Sequence, residues 1–219
     1  METEIIPAIL VKTKQDLIER INRVENSVSS VHIDVMDNKF VPNKTVGSES
    51  FSGLPKGVSY EFHWMVENPQ EHIAKTKGPH LHIIHVEAIR DWSAIRKAAK
   101  EAGGKLGIAI NPSTPLEKLE PYLKGDAGVS RVLVMSVEPG FDGQKYMASV
   151  EEKIRRLRMK FPKLHIEVDG GINPATAQSA SRAGADKLAA ASAIFNASDT
   201  RSAVKAIMES AKEGKRKSS

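Results

Sequence analysis

The sequence contains no cysteine among its 219 residues, which excludes disulfide bridges, thiolate metal ligands and a cysteine nucleophile. Any bound metal ion must therefore take nitrogen and oxygen ligands. The sequence also lacks any run near the roughly 18 apolar residues that cross a bilayer, and its start lacks the basic residues and apolar stretch of a signal peptide. We therefore expect a cytoplasmic protein with no membrane partner.

A basic run is also absent from the body of the chain, although the formal net charge is +5. The segment 212–219 alone holds four basic residues and one acidic residue, and so supplies +3 of that charge. Terminal segments of this kind are usually solvated and poorly ordered. We expect residues 212–219 to form a disordered tail, and we expect no nucleic-acid partner.

Short apolar runs rich in β-branched residues alternate with segments of helical period along the whole chain. The runs that read as strands are 5–10, 31–35, 58–62, 81–86, 106–110, 131–135, 164–168 and 187–191. Such alternation predicts an α/β protein with a parallel sheet. Because no GxGxxG follows the first run, eight units favour a closed (β/α)8 TIM barrel over an open Rossmann sheet. We expect one catalytic domain over residues 1–211.

Polar side chains gather at the carboxyl ends of three predicted strands, where barrels of this type place their functional residues. Alternation along a strand turns His32 and Asp34 into the barrel mouth, with His63 on the next strand and Asp169 on the seventh. A single histidine or aspartate there is as often a hydrogen-bonded structural residue. Two imidazoles and two carboxylates converging from three strands instead predict a site for one divalent ion, Zn²⁺, Fe²⁺, Mn²⁺ or Co²⁺. Asp34 and Asp169 are expected to face each other across a pocket.

Methionines and glycines surround this predicted site. Met36, Met65 and Met135 lie at strand ends, where they either line the site or fill gaps in the core. Gly140 and Gly143 lie in the sixth loop and Gly170 and Gly171 in the seventh. Such loops either make tight turns or let phosphate approach backbone N–H groups. The candidate phosphate-binding residues are Gly140, Phe141, Asp142, Gly143, Gly170, Gly171, Ala191 and Ser192.

Several long motifs resemble those of the ribulose-phosphate 3-epimerase family, from the first strand to about Asp199. They are HIDVMD at 32–37, FVPN at 40–43, HWMV at 63–66, HVEA at 85–88, GIAINP at 107–112, MSVEPGF at 135–141 and EVDGG at 167–171. The resemblance implies a barrel of the ribulose-phosphate-binding type, a phosphorylated ketose substrate and a homo-oligomer.

The resemblance also assigns roles. The family's metal ligands correspond to His32, Asp34, His63 and Asp169, its paired acid and base to Asp34 and Asp169, and His63 and Asp169 also to substrate contacts. The implied reaction interconverts D-ribulose 5-phosphate and D-xylulose 5-phosphate by moving the proton on carbon 3 through an enediolate. Two carboxylates on opposite faces permit inversion if one is ionised while the other is protonated.

Three positions depart from the family pattern. Ala8 stands where serine is common beside the pocket, Asp142 stands where glycine is common in the sixth loop, and Ala191 replaces glycine before Ser192. Two of these changes fall around the expected phosphate. They leave open an epimerase of a related ketohexose 6-phosphate, or a non-catalytic sugar-phosphate-binding barrel. A metal-dependent hydrolase is disfavoured because the first strand lacks a His-x-His pair.

Overall fold

Eight parallel strands pair in chain order, and the last pairs with the first to close a barrel. The computed structural model describes residues 3–124 and 127–216. The strands are β1 Glu4–Ile9, β2 Ser30–Met36, β3 Ser59–Met65, β4 Leu81–His85, β5 Lys105–Ile110, β6 Val129–Met135, β7 His165–Asp169 and β8 Lys187–Ala190. The predicted (β/α)8 architecture is confirmed, with each strand within a few residues of its predicted bounds.

Helices pack around the barrel between the strands. They are α1 Lys14–Val24, α2 Pro69–Lys75, α3 Trp92–Ala102, α4 Glu120–Leu123, α5 Val150–Lys160, α6 Pro174–Ala183, α7 Ser192–Phe195 and α8 Thr200–Arg216. Local sequence sets their starts: the Thr13 hydroxyl accepts from the N–H of Asp16, and Asn173 and Thr176 form a capping box ahead of α6. Within the described ranges no helix is both long and apolar enough to cross a membrane.

The connection between β2 and β3 departs from the expected repeat, because its described helical content is one 3₁₀ turn, Ser48–Ser50. Pro42 and Pro55 flank that turn, and Gly47 and Gly53 lie beside it. Proline removes a backbone donor and glycine disfavours helix, so the composition of this segment opposes a full helical turn.

The main apolar core lies between the sheet and the helices. In β2, Val31, Ile33 and Val35 face this core, whereas His32 and Asp34 alternate with them and face the barrel interior. A smaller apolar cluster inside the barrel includes Ile83, Ala109, Leu133 and Met135. The outer core therefore holds the strands in place, and interior positions of β2, β3 and β7 are left for polar side chains.

Helix α8 continues to Arg216, which corrects the prediction of a disordered tail for residues 212–216. Gly214 is buried so closely against α6 that a Cβ there would lie 2.1 Å from the carbonyl oxygen of Gln178. The side chain of Gln178 also donates to the Glu213 carboxylate at 3.0 Å. Packing on α6 orders this turn. Local composition does not predict this contact, because α6 is distant in sequence. Residues 217–219 lie outside the described residues.

Candidate active site

The four predicted metal ligands converge at the carboxyl end of the barrel. His32 and Asp34 come from β2, His63 from β3 and Asp169 from β7. His63 Nδ1 lies 2.9 Å from Asp34 Oδ1 and 3.8 Å from Asp169 Oδ2. His32 Nε2 lies 3.3 Å from Asp34 Oδ1 and 4.0 Å from Asp169 Oδ2. One donor atom from each residue therefore falls within 4.8 Å of the others.

This spacing suits one small divalent ion. Tetrahedral ligands at 2.0–2.2 Å from a metal lie about 3.4 Å from one another, within the spread of the distances in this cluster. Among the described residues, the buried Nε2 of His32 has no hydrogen-bond partner, although it points to the two aspartates. Buried polar atoms normally have a partner. The unpartnered nitrogen and the nitrogen and oxygen donor set both fit a metal ion.

The two aspartates differ in their affinity for a proton. Burial and the nearby charge of Asp34 together raise the pKa of Asp169 to about 8. Burial alone would also raise the pKa of Asp34, but the imidazoles of His32 and His63 hold the pKa of Asp34 below its usual range. At neutral pH Asp34 is therefore ionised and Asp169 protonated, the pairing that a two-carboxylate proton transfer requires.

Sequence reasoning missed the groups beneath His32. Glu61 and Glu167 are 2% and 0% exposed, and both accept from His32 Nδ1. Arg131 contacts both carboxylates. All three residues alternate with the apolar positions of β3, β6 and β7 that face the helices. Strand alternation could have found them, because each lies two residues before an inward-facing residue: His63, Leu133 or Asp169.

A second chain of contacts lies behind His63, which we had expected to touch substrate. His63 Nε2 is 2.8 Å from His85 Nε2, and His85 Nδ1 is 3.2 Å from the Glu87 carboxylate. Burial lowers the pKa of His63 to about 4, so the ring is neutral at neutral pH. His63 is fully buried and does not line the cleft above the aspartates. The HVEA motif thus provides the contacts behind one imidazole of the candidate metal site.

A cleft of about 530 Å³, including its open mouth, lies above the aspartates. It is lined by Ala8, Leu10, Asp34, Met36, Met65, Met135, Val137, Pro139, Gly140, Phe141, Asp142, Gly143, Gln144, Asp169, Gly170, Gly171, Ile172, Ala189, Ala191 and Ser192. Ala8 and the three methionines are among these lining residues, and each methionine is at most 3% exposed. Residues of the sixth, seventh and eighth loops thus share the lining of one cleft with the two aspartates.

The glycines of the seventh loop are required by packing. Gly170 and Gly171 have φ of 116° and 62°, in the region that favours glycine. A Cβ on Gly171 would lie 2.6 Å from the backbone nitrogen of Tyr146. The tight-turn interpretation therefore holds for this pair, whatever the loop binds.

Asp142 stands where the family commonly has glycine, but its backbone does not adopt the conformation that favours glycine. Its φ is not positive, since Asn38 is the one non-glycine residue with positive φ in the described part of the chain. The carboxylate instead accepts the N–H of Gly143 at 2.6 Å, beside the cleft. An acidic group thus occupies a backbone donor of the loop.

Comparisons with known proteins agree with this geometry. The sequence profile described as "Ribulose-phosphate 3 epimerase family" matches residues 4–195. The chain is 37% identical to the cytoplasmic isoform of ribulose-phosphate 3-epimerase from Oryza sativa subsp. japonica, covering 98% of this chain and 97% of that one. It is 41% identical to ribulose-phosphate 3-epimerase from Methanocaldococcus jannaschii, covering 90% and 86%. Among solved structures, 3-hexulose-6-phosphate synthase from Salmonella typhimurium has a TM-score of 0.70 at 18% identity, over 97% and 100% of the chains. At 18% identity, the similarity to that synthase shows a shared fold and nothing about activity.

Proposed function

Because the chain belongs to the ribulose-phosphate 3-epimerase family, we propose that it interconverts D-ribulose 5-phosphate and D-xylulose 5-phosphate, with Asp34 and Asp169 as the acid and base. The single observation that supports these roles is that Asp34 and Asp169, from β2 and β7, line one cleft in surroundings that shift their pKa in opposite directions. The cytoplasmic rice relative supports a cytoplasmic location. We also propose one barrel domain, a homo-oligomer and no nucleic-acid partner.

His32, Asp34, His63 and Asp169 would hold the metal ion, and the donor set is compatible with Zn²⁺, Fe²⁺, Mn²⁺ or Co²⁺. A bound divalent ion would supply the positive charge that stabilises negative charge developing on the ketone oxygen. Asp34 and Asp169 are thus each assigned both metal binding and proton transfer. The difference in their proton affinity serves the proton transfer.

In the proposed reaction, ionised Asp34 takes the proton from carbon 3 of one epimer while the electron pair of that C–H bond moves towards the carbonyl. Protonated Asp169 then gives its proton to carbon 3 from the other face, which inverts the centre. The return reaction uses the same groups with exchanged roles. The buried methionines beside the cleft limit the access of water to the reacting carbon. The backbone around Gly143, Gly171 and Ser192 is the proposed phosphate end.

The experiment is exchange of the carbon-3 hydrogen of ribulose 5-phosphate in heavy water, with and without a chelator. Turnover and exchange are expected with added metal and are expected to stop when the chelator removes it. Asp34→Asn and Asp169→Asn should each lower kcat by about 10² to 10⁴ or more. Absence of exchange in the metal-loaded protein, tested also with a ketohexose 6-phosphate, would refute the epimerase assignment.

A second candidate is a barrel that binds a sugar phosphate without turning it over. The contact between the Asp142 carboxylate and the Gly143 N–H favours it, because that donor is no longer open to an anion. Calorimetry with ribulose 5-phosphate separates the two: tight binding without exchange supports a binding protein, and turnover excludes it.

A further inference from the structure

A second ring of charged side chains lies inside the barrel, directly beneath the candidate metal ligands. Glu61 precedes His63 on β3, and Glu167 precedes Asp169 on β7, in each case by one inward-facing step. Arg131 reaches the same level from β6, with its side chain 14% exposed. Barrel interiors are usually filled by branched apolar residues. Three charged groups at this level therefore require a specific partner.

The partner common to both carboxylates is His32. Glu61 Oε1 and Glu167 Oε1 lie 2.7 Å and 3.2 Å from His32 Nδ1. The other oxygens of these carboxylates both accept from Arg131, with Glu167 Oε2 at 2.7 Å from Nη1. Each carboxylate thus bridges the guanidinium below and the imidazole above.

We propose that Glu61, Glu167 and Arg131 are positioning residues that fix His32 for metal binding. Carboxylate oxygens from two strands lie against Nδ1, which makes Nδ1 the donor nitrogen of the ring and leaves Nε2 for an ion. Nε2 is also the atom that faces Asp34 and Asp169 and lacks a hydrogen-bond partner within the described chain. Carboxylate partners of this kind orient metal-bound histidines and strengthen them as ligands. The inference rests on the proposed metal site.

Arg131 has a separate task within this arrangement. His32, Glu61 and Glu167 have donor atoms close enough to hold an ion themselves. The guanidinium of Arg131 lies against both carboxylates and supplies the positive charge that such an ion would bring. A built-in cation at the lower level therefore leaves the upper level, open to the cleft, as the place for one metal ion per chain.

The test is titration of the metal-free chain with Co²⁺, followed by calorimetry and by the visible absorption of the bound ion. The variants are Glu61→Gln and Glu167→Gln, which keep side-chain size and remove one charge. We expect each to weaken Co²⁺ binding by roughly 10- to 100-fold and to alter the absorption band. Arg131→Met is expected either to bind Co²⁺ less tightly at the four-ligand site or to bind a second Co²⁺ per chain.

The matched control is Asp186→Asn. Asp186 is also a buried carboxylate, 4% exposed, that accepts from an arginine, Arg158 of α5, at 2.6 Å. It directly precedes β8, however, at the opposite end of the strands from the candidate metal ligands. Its variant is expected to bind Co²⁺ within twofold of the parent. Circular dichroism restricts the comparison to folded variants, and the two glutamine variants keep the test decisive if Arg131→Met does not fold.

The inference is overturned if the folded Glu61→Gln and Glu167→Gln variants bind Co²⁺ as tightly as the parent, or if Asp186→Asn weakens binding equally. Failure of the parent chain to bind Co²⁺ would overturn the metal site as well. A chain that binds Co²⁺ with the expected variant pattern but does not exchange the carbon-3 hydrogen would refute the proposed reaction alone.

Discussion

Replacing Asp142 by glycine is expected to increase the affinity for a phosphorylated substrate. The Asp142 carboxylate accepts the Gly143 N–H at 2.6 Å on the edge of the cleft. An anion bound to the same N–H would lie about 3 Å from the nitrogen, which puts the two negative charges within about 5 Å of each other. Substrate binding must therefore displace the carboxylate or tolerate its repulsion.

The size of the effect follows from the exposure of this loop. Asp142 is exposed, so the dielectric of water applies, and the repulsion at 5 Å is about 0.8 kcal/mol per unit of phosphate charge. Freeing the Gly143 N–H contributes about 1 kcal/mol. For a phosphate that carries about 1.5 to 2 charges, the combined gain of about 2 to 3 kcal/mol corresponds to roughly 30- to 160-fold in KM.

The assay measures KM for ribulose 5-phosphate, and the inhibition constant for inorganic phosphate, at low ionic strength and in about 1 M KCl, where the screening length is about 3 Å. Asp142→Asn keeps the size and an acceptor oxygen but removes the charge, so it isolates the repulsive part. We expect Asp142→Gly to gain more than Asp142→Asn, and both gains to shrink at high salt. An unchanged KM in both variants at low salt would mean that the carboxylate has no contact with the anion site.

Two further predictions concern stability. Without metal, folded Asp169 and His32 hold protons that the unfolded chain releases, because the pKa of Asp169 is raised to about 8 and that of His32 well above its usual 6.5. The free energy of unfolding should therefore fall as the pH rises from about 6.5 to 8. The expected slope is about 1.4 kcal/mol per pH unit for each such proton. Urea unfolding in a chelator measures this, and a flat profile would contradict the proton assignments. Gly171→Ala should cost about 2 to 3 kcal/mol from positive φ and the close Tyr146 nitrogen, whereas Gly143→Ala, with positive φ and open space, should cost about 1 kcal/mol; equal losses would show that the contact has no effect.

The strands and the four convergent ligands could be predicted because each depends on local sequence. Apolar runs reveal the strands, and a period of two turns His32 and Asp34 to the same side. The barrel then brings Asp169 beside them, since the carboxyl ends of all parallel strands meet at one end of the barrel. Motif resemblance adds the roles of these residues.

The residues that sequence reasoning missed depend on distant contacts. Arg131 and Glu61 are 70 positions apart, and neither has a neighbour in sequence that reveals a partner inside the barrel. The prediction of a disordered tail was wrong over the last turn of α8 for the same reason. Gly214 is fixed by packing on α6, whereas local composition indicates only charge. Asp142 shows a third limit: its sequence context suggests a backbone that needs glycine, whereas the structure places it at negative φ, with its side chain on the next N–H.

The layered interior also explains how so many buried charges are compatible with a folded barrel. Buried ionic groups are costly unless each is paired and hydrogen-bonded. Arg131 balances Glu167, and the His32 imidazolium lies beside Asp34. Burial beside Glu167 raises the pKa of Glu61 to about 7, which lowers the cost of its charge. Asp169 remains uncharged because its pKa is raised to about 8 by burial and by Asp34. A divalent ion at the upper level would replace the proton of His32 Nε2 with a charge that all four ligands share. The interior is therefore arranged so that metal binding, proton release and the stability of the barrel are linked.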